Sequence, residues 1–139
     1  MALNGSERHE LPAVPGAVAA ARAIVDEAAT SLSVALRDDA ALLVSELMSN
    51  AVRHGGAIAT LTVSLAEGYL SVALHDDGAG RPVMPSGALD PSVASGRGLR
   101  ILDRIAAQWG VEDDRVGSGK TVWFRLATGE GTTAVRART

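Results

Sequence analysis

Residues 57–80, AIATLTVSLAEGYLSVALHDDGAG, contain the pattern that decides the fold. Apolar and polar side chains alternate along two runs, a period typical of half-buried strands, and the short turn Ala66-Glu67-Gly68 joins them. The segment therefore predicts an antiparallel hairpin. Strand parity also separates two neighbouring acids. Asp76 is in phase with the apolar residues and is predicted to point inward, whereas Asp77 is predicted to point outward.

Helical periodicity flanks the hairpin on both sides. A first helix is predicted from Pro15 to about Ala29. A second begins near Asp38 or Asp39, either of which can cap it, and ends at Gly55-Gly56. The apolar stripe that marks a third helix is Leu99, Leu102, Ile105, Ala106 and Trp109. Further strands are predicted at residues 9–14, 111–116 and 121–127.

This grouping of elements predicts an α+β fold, a two-layer α/β sandwich with helices on one face of a mostly antiparallel sheet. The length of 139 residues fits one domain, expected at residues 9–127, with flexible segments at 1–8 and 128–139. From Gly78 to Gly98 the composition shifts to Gly, Pro, Ser and Asp. A loop longer than about 12–15 residues is typical of a functional lid or of disorder.

Composition excludes several classes of function. The chain has no cysteine, which excludes disulfide scaffolds, thiolate metal sites and a cysteine nucleophile. Its net charge of −3 gives no sign of affinity for nucleic acids or membrane surfaces. No stretch approaches the ~20 apolar residues of a membrane span, and the first ten residues lack the core of a signal peptide. We therefore expect a cytoplasmic protein with protein partners.

The second predicted helix holds the first candidate site. Glu46, Asn50 and His54 are spaced by four and form one stripe beside the apolar face. An Asn carbonyl suits Mg²⁺, which prefers oxygen ligands and keeps substrate phosphates, and a positioned Glu can accept a proton from a hydroxyl group. An ordinary solvated helix face is the alternative interpretation.

Two glycine motifs follow. In Asp76-Asp77-Gly78-Ala79-Gly80, an inward carboxylate needs a donor, which an amino group of a ligand would supply, although a plain Asp-Gly turn is the alternative. In Gly96-Arg97-Gly98-Leu99, glycines before a predicted helix can present backbone N–H groups to an anion, although a flexible lid hinge is the alternative interpretation.

The order of these motifs resembles that of the GHKL ATPase superfamily (gyrase, Hsp90, histidine kinases and MutL), whose members have the Bergerat ATP-binding fold. Residues 46–50 resemble its N box, residues 76–80 its first glycine box and residues 96–99 its second. Gly119-Lys120-Thr121 resembles the G-x-T that ends the site. The resemblance covers about residues 9 to 127.

The resemblance implies ATP and Mg²⁺ as cofactors and assigns a role to each motif. Glu46 would be the general base, Asn50 would ligate Mg²⁺, and Asp76 would accept a hydrogen bond from the adenine amino group. The remaining nucleotide contacts implied by the resemblance are Gly78, Gly80, Gly96, Arg97, Gly98, Leu99 and Thr121. Thr121 would support the contact of Asp76, residues 81–95 would form the ATP lid, and Arg97 and Arg100 are candidates for contacts with the phosphates.

Within the superfamily, a bare domain of this length resembles the bacterial anti-sigma factor kinases of the SpoIIAB/RsbW type, since few residues precede the first helix. The runs Asn50–Gly55 and Gly98–Leu102 have the character of that group, and the arginine- and alanine-rich composition resembles actinobacterial proteins. The implied partners are a sigma factor and a protein antagonist phosphorylated on Ser or Thr. The resembling kinases form dimers, but the edge segment 9–14 leaves the oligomeric state open.

Two alternatives stay open from the sequence. The first is a catalytically weak or inactive module in which ATP only orders the lid and the protein sequesters its partner. The second is a metal-dependent hydrolase using Glu46, His54 and Asp76, which leaves the glycine-rich closing motif unexplained.

Overall fold

A computed structural model describes residues 6–54, 57–78, 94–114 and 119–129. In chain order its elements are β1 (Ser6–Pro12), α1 (Ala17–Ala28), α2 (Val34–His54), β2 (Ile58–Ala66), β3 (Tyr69–Asp76), α3 (Ala94–Ile105), β4 (Gln108–Asp113) and β5 (Lys120–Ala127). The predicted flexible segments fall largely on residues 1–5 and 130–139, outside the described ranges. Strand β1 begins at Ser6, earlier than the predicted start at His9.

The five strands form one sheet in the order β1-β2-β3-β5-β4, and every neighbouring pair is antiparallel. The predicted hairpin is confirmed as β2 and β3, with Val63 opposite Val72. The chain leaves the sheet after β1, returns as β2 after two helices, and later places β5 beside β3. The α+β class and the antiparallel sheet are therefore confirmed.

Strand alternation divides the sheet into a covered and an open face. The covered face consists of buried aliphatic side chains and one aromatic ring: Ala59, Leu61, Val63, Leu70, Val72, Leu74, Val122, Phe124 and Leu126. Helix α1 contacts β1 and β2, α2 contacts β3 and β5, and α3 contacts α2 and β4. Because aromatic residues make up only 3% of the chain, aliphatic side chains fill most of the core.

Helix α2 supplies most of the helical side of the core. Its buried stripe is Ala40, Leu43, Val44, Leu47, Met48 and Ala51, as the periodicity predicted. The predicted start of this helix is wrong, because α2 begins at Val34 and its cap is Ser33. The Ser33 hydroxyl accepts a hydrogen bond from the N–H of Leu36 at 3.1 Å, and the Ser33 carbonyl accepts the first helical bond from Arg37.

The extra turn of α2 joins it to α1. Arg37 donates two hydrogen bonds to the carboxylate of Asp26, at 3.0 and 2.8 Å. The Arg37 guanidinium holds the pKa of Asp26 below its usual value of 3.8. The Arg37 and Asp26 side chains are 32% and 48% exposed, so the contribution of this pair to stability is small.

Helix α3 also differs from its prediction. It begins at Ala94, so Gly96-Arg97-Gly98-Leu99 lies inside the first turns of the helix and not before it. Two glycines in a helix interior are each unfavourable by about 1 kcal/mol, which is why the pattern indicated a loop. The helix ends at Ile105, and Trp109 belongs to β4, where the chain has changed to the strand period.

Replacing Ser33 by alanine should lower the free energy of unfolding by about 1 kcal/mol, because the N–H of Leu36 loses its acceptor. Denaturant unfolding measures the change. Asp38→Ala is the control, since the exposed Asp38 lies beyond the cap and should have little effect. A larger loss from Asp38→Ala than from Ser33→Ala would contradict the observed start of α2.

Candidate functional site

The site is centred on a carboxylate at the end of the central hairpin. Asp76 is the last residue of β3 and is only 3% exposed, whereas Asp77 is exposed. The inward orientation predicted from strand parity is confirmed. A buried carboxylate needs hydrogen-bond donors, because its desolvation is otherwise costly.

Those donors come from the chain itself. The ammonium of Lys120 donates to Oδ1 of Asp76 at 3.0 Å and to Oδ2 at 2.9 Å. The N–H of Gly78 donates to Oδ1 at 2.9 Å, a local turn contact of the kind expected for an Asp-Gly turn. The Lys120 and Asp76 side chains are 1% and 4% exposed, so the ion pair is buried.

Strand pairing explains why the lysine reaches this carboxylate. Asp76 and Lys120 lie directly opposite each other across β3 and β5. Lys120 is in phase with the buried Val122 and Phe124, so it enters the covered face with them. A lysine is rarely this buried unless it has a partner, and here the partner is Asp76.

The alternation of side chains along β5 shows that the predicted contact of Thr121 with Asp76 is wrong. Thr121 follows Lys120 by one residue, and adjacent residues of a strand point to opposite faces. Its side chain lines a shallow depression on the open face of the sheet, beside Thr60, Ala73 and His75. Lys120 therefore takes the position that the motif comparison gave to Thr121.

A second polar group lies on α2. Asn50 is 2% exposed, and its Oδ1 accepts a hydrogen bond from Arg53 at 3.2 Å. Its Nδ2 is buried without a hydrogen-bond partner among the described residues. Glu46 lies one turn earlier on the helix and is half-buried. A buried amide donor that no described residue satisfies is unusual and would suit a polar atom of a ligand.

The polar atoms of Asn50 suit a hydrated cation that is bound to the phosphates of a nucleotide. An amide oxygen accepts two hydrogen bonds, and among the described residues Oδ1 of Asn50 accepts only the one from Arg53. That oxygen fits a cation such as Mg²⁺, and the unpaired Nδ2 fits an anionic oxygen next to it. The residues present are therefore compatible with a Mg²⁺-nucleotide.

Other predicted site residues lie wholly or partly outside the described ranges. Gly80 and residues 81–93 of the predicted lid are not described. Gly78 is described and buried. The backbone of residues 96–99 is helical, and the side chains of these residues and of His54 are not described.

Sequence reasoning missed two contacts at the site. Extending the alternation from Phe124 and Val122 by one step would have placed Lys120 inward, opposite Asp76. The second contact joins Asn50 to the exposed Arg53, and their spacing of three already places the two side chains on one side of the helix.

Within the described residues, no cluster of three or more His, Asp or Glu side chains could hold a metal ion. None of the helices in those parts of the chain is long and apolar enough to cross a membrane.

The sequence-family model of the histidine kinase-like ATPase domain matches residues 11–126 of this chain. The chain belongs to that family. The match includes Glu46, Asn50, Asp76 and Lys120, and membership supports an ATP-binding, kinase-like function. No curated protein matches the sequence.

A solved structure shows the same fold. The histidine kinase domain of the blue-light activated histidine kinase EL346 from Erythrobacter litoralis matches with a TM-score of 0.51 and 18% identity. The match covers 91% of this chain and 65% of that one. At this identity the likeness concerns the fold, and the chain spans about two thirds of that domain.

Breaking the ion pair should destabilise the protein strongly. Asp76→Leu or Lys120→Met alone should lower the free energy of unfolding by about 3–5 kcal/mol, because each leaves a buried charge without its partner. The double variant should recover most of that loss. Denaturant unfolding of the four proteins measures the coupling, and strictly additive losses would contradict a buried pair.

A substitution at Gly119 measures how closely the chain packs at the start of β5. A Cβ at this position would meet the Asp114 carboxylate, the His75 ring at 2.8 Å and the Asp76 carbonyl oxygen at 3.0 Å. Gly119→Ala should therefore cost about 1–3 kcal/mol in unfolding free energy. Gly16→Ala is the matched control, because nothing lies within 4 Å of its added Cβ. Equal effects of the two substitutions would argue against close packing at Gly119.

Proposed function

We propose that the chain is an ATP-dependent serine/threonine protein kinase that acts as an anti-sigma-like regulator. Its substrate would be a Ser or Thr hydroxyl of a protein antagonist, and its cofactor would be Mg²⁺. The observation that carries the proposal is the family match over residues 11–126, which includes the buried Asp76 together with Glu46 and Asn50.

In this proposal Asp76 recognises the base. A carboxylate is an acceptor only, and the 6-amino group of adenine is a donor. Burial makes such a contact selective, because a base without that donor would leave the carboxylate with poorer hydrogen bonding. Gly78 lies beside Asp76 in the buried turn, and its lack of a side chain leaves room for adenine and ribose to approach.

Helix α2 would provide the chemistry. Glu46 would accept the proton of the substrate hydroxyl, and Asn50 would supply an oxygen to Mg²⁺. Bound Mg²⁺ would neutralise phosphate charge. The unpaired Nδ2 of Asn50 would donate to a phosphate oxygen, and Arg53 beside it would add positive charge.

Helix α3 would hold the phosphates. Its first turn includes Gly96, and the free N–H groups of a helix N-terminus attract anions. Arg97 and Arg100 follow within the next turn, and either would add positive charge near that end.

The partner class is supported by sequence resemblance. The runs Asn50–Gly55 and Gly98–Leu102 resemble stand-alone anti-sigma factor kinases, whose partners are a sigma factor and an antagonist of the anti-sigma factor. The net charge of −3 fits protein partners better than nucleic acid. Homodimerisation and a cytoplasmic location belong to the same proposal.

Phosphotransfer tests the proposal directly. The protein is incubated with Mg²⁺ and γ-labelled ATP, together with the products of genes adjacent to its own as candidate substrates. Label on a Ser or Thr, stable to acid, is expected. Acid-labile label on histidine would contradict the Ser/Thr specificity. ATP binding without transfer to any candidate would favour the alternative of a binding module.

Glu46→Gln should lower the transfer rate by about 10²–10⁴-fold, the contribution of a general base, and leave ATP affinity nearly unchanged. Asp38→Asn is the matched control, since it makes the same acid-to-amide change at an exposed position of α2. Normal transfer by Glu46→Gln would show that another group accepts the proton.

A further inference from the structure

The buried ion pair has no place in the proposed function. Lysine carries a strongly hydrated ammonium, yet Lys120 is 1% exposed and has its ammonium on the carboxylate that would recognise adenine. The pairing is symmetric, at 3.0 and 2.9 Å to the two oxygens. In the described state, therefore, Asp76 already has the donor that a ligand would offer.

Counting acceptor positions makes the conflict explicit. A carboxylate accepts about four hydrogen bonds. Oδ1 of Asp76 accepts from both Lys120 and Gly78, and Oδ2 accepts from Lys120. Among the described residues, these donors leave one position, on Oδ2. An amino group that used it would approach an oxygen whose charge the ammonium at 2.9 Å already neutralises.

We infer that Lys120 sets the nucleotide affinity of this site by competing with the adenine amino group for Asp76. The inference rests on the proposed function, in which Asp76 is the adenine acceptor. Nucleotide binding then exchanges one hydrogen bond of Asp76 for another, so the contact contributes only the difference between them. The flexible four-carbon stem of lysine allows the ammonium to withdraw from Oδ2 while β5 stays in place.

Removing the competitor should raise affinity. In Lys120→Met or Lys120→Thr, the nucleotide-free protein loses the ion pair, whereas the bound protein keeps the contact of adenine with Asp76. ATP affinity, measured by calorimetry, should rise about tenfold or more, the scale of one hydrogen bond to a charged group. Lys120→Arg keeps the charge and should stay near the affinity of the natural protein.

Changing the nucleobase tests whether Lys120 competes with the adenine amino group for Asp76. Inosine triphosphate carries a 6-oxo group in place of the 6-amino group and cannot donate to Asp76 at that position. The affinity ratio of ATP to inosine triphosphate should therefore rise about tenfold in Lys120→Met and Lys120→Thr. A general loosening of the protein would change both affinities alike and would leave the ratio unchanged.

Controls separate the possible failures. Arg125→Met removes a cation from an exposed position of the same strand and should leave the ATP affinity unchanged. Circular dichroism and thermal unfolding establish that each variant is folded, and Lys120→Thr decides the outcome if Lys120→Met does not fold.

If the natural protein binds ATP but neither variant binds it more tightly, the competition is wrong and the proposed function stands. The same holds if the ratio of ATP to inosine triphosphate affinities does not rise. If neither the natural protein nor the variants bind ATP, the proposed function fails and this inference fails with it.

Discussion

One constraint determines which side chains of β3 point into the core. Side chains alternate between the two faces of a strand, and the register of β3 is fixed because it is paired on both edges. β3 is held by β2 on one edge and β5 on the other, so a slip of one residue would expose Leu70, Val72 and Leu74 and bury the polar residues between them. The same parity carries Asp76 into the covered layer. The apolar pattern of the strand thus forces a charge to be buried at its end.

That buried charge determines what lies opposite it. The partner position on β5 follows the parity of Val122 and Phe124, so its side chain must also point inward. An apolar residue there would leave the carboxylate with one backbone donor among the described residues, whereas a lysine supplies two further hydrogen bonds and neutralises the charge. The only lysine of the chain occupies this place, and the rest of its 13 Lys and Arg residues are arginines.

The features predictable from the sequence were those set by long, regular periodicity. The hairpin, the buried stripe of α2 and the inward Asp76 followed from spacing alone, since one register buries each apolar set. The start of α2 was missed because Asp38 and Asp39 are good caps, but the chain already has a cap at Ser33. The start of α3 was missed because its glycines oppose helix formation locally, while packing of α3 against α2 and β4 favours it. For Lys120, the resemblance to a G-x-T motif directed attention to Thr121, although parity pointed to its neighbour.

Asp76 and Asn50, the two buried polar residues assigned to nucleotide binding, have similar partners. In the described state each of these acceptors hydrogen-bonds a cation of the chain itself, Lys120 in one case and Arg53 in the other. The two cations differ in depth: Lys120 is buried, whereas Arg53 is exposed and can leave its contact at little cost in desolvation. If ATP occupies this site, the phosphate end would use the unpaired Nδ2 of Asn50 without breaking a buried contact, whereas the base end would have to separate a buried ion pair. The adenine contact would then limit affinity more than the phosphate contacts do, the reverse of a site in which phosphate charge dominates binding.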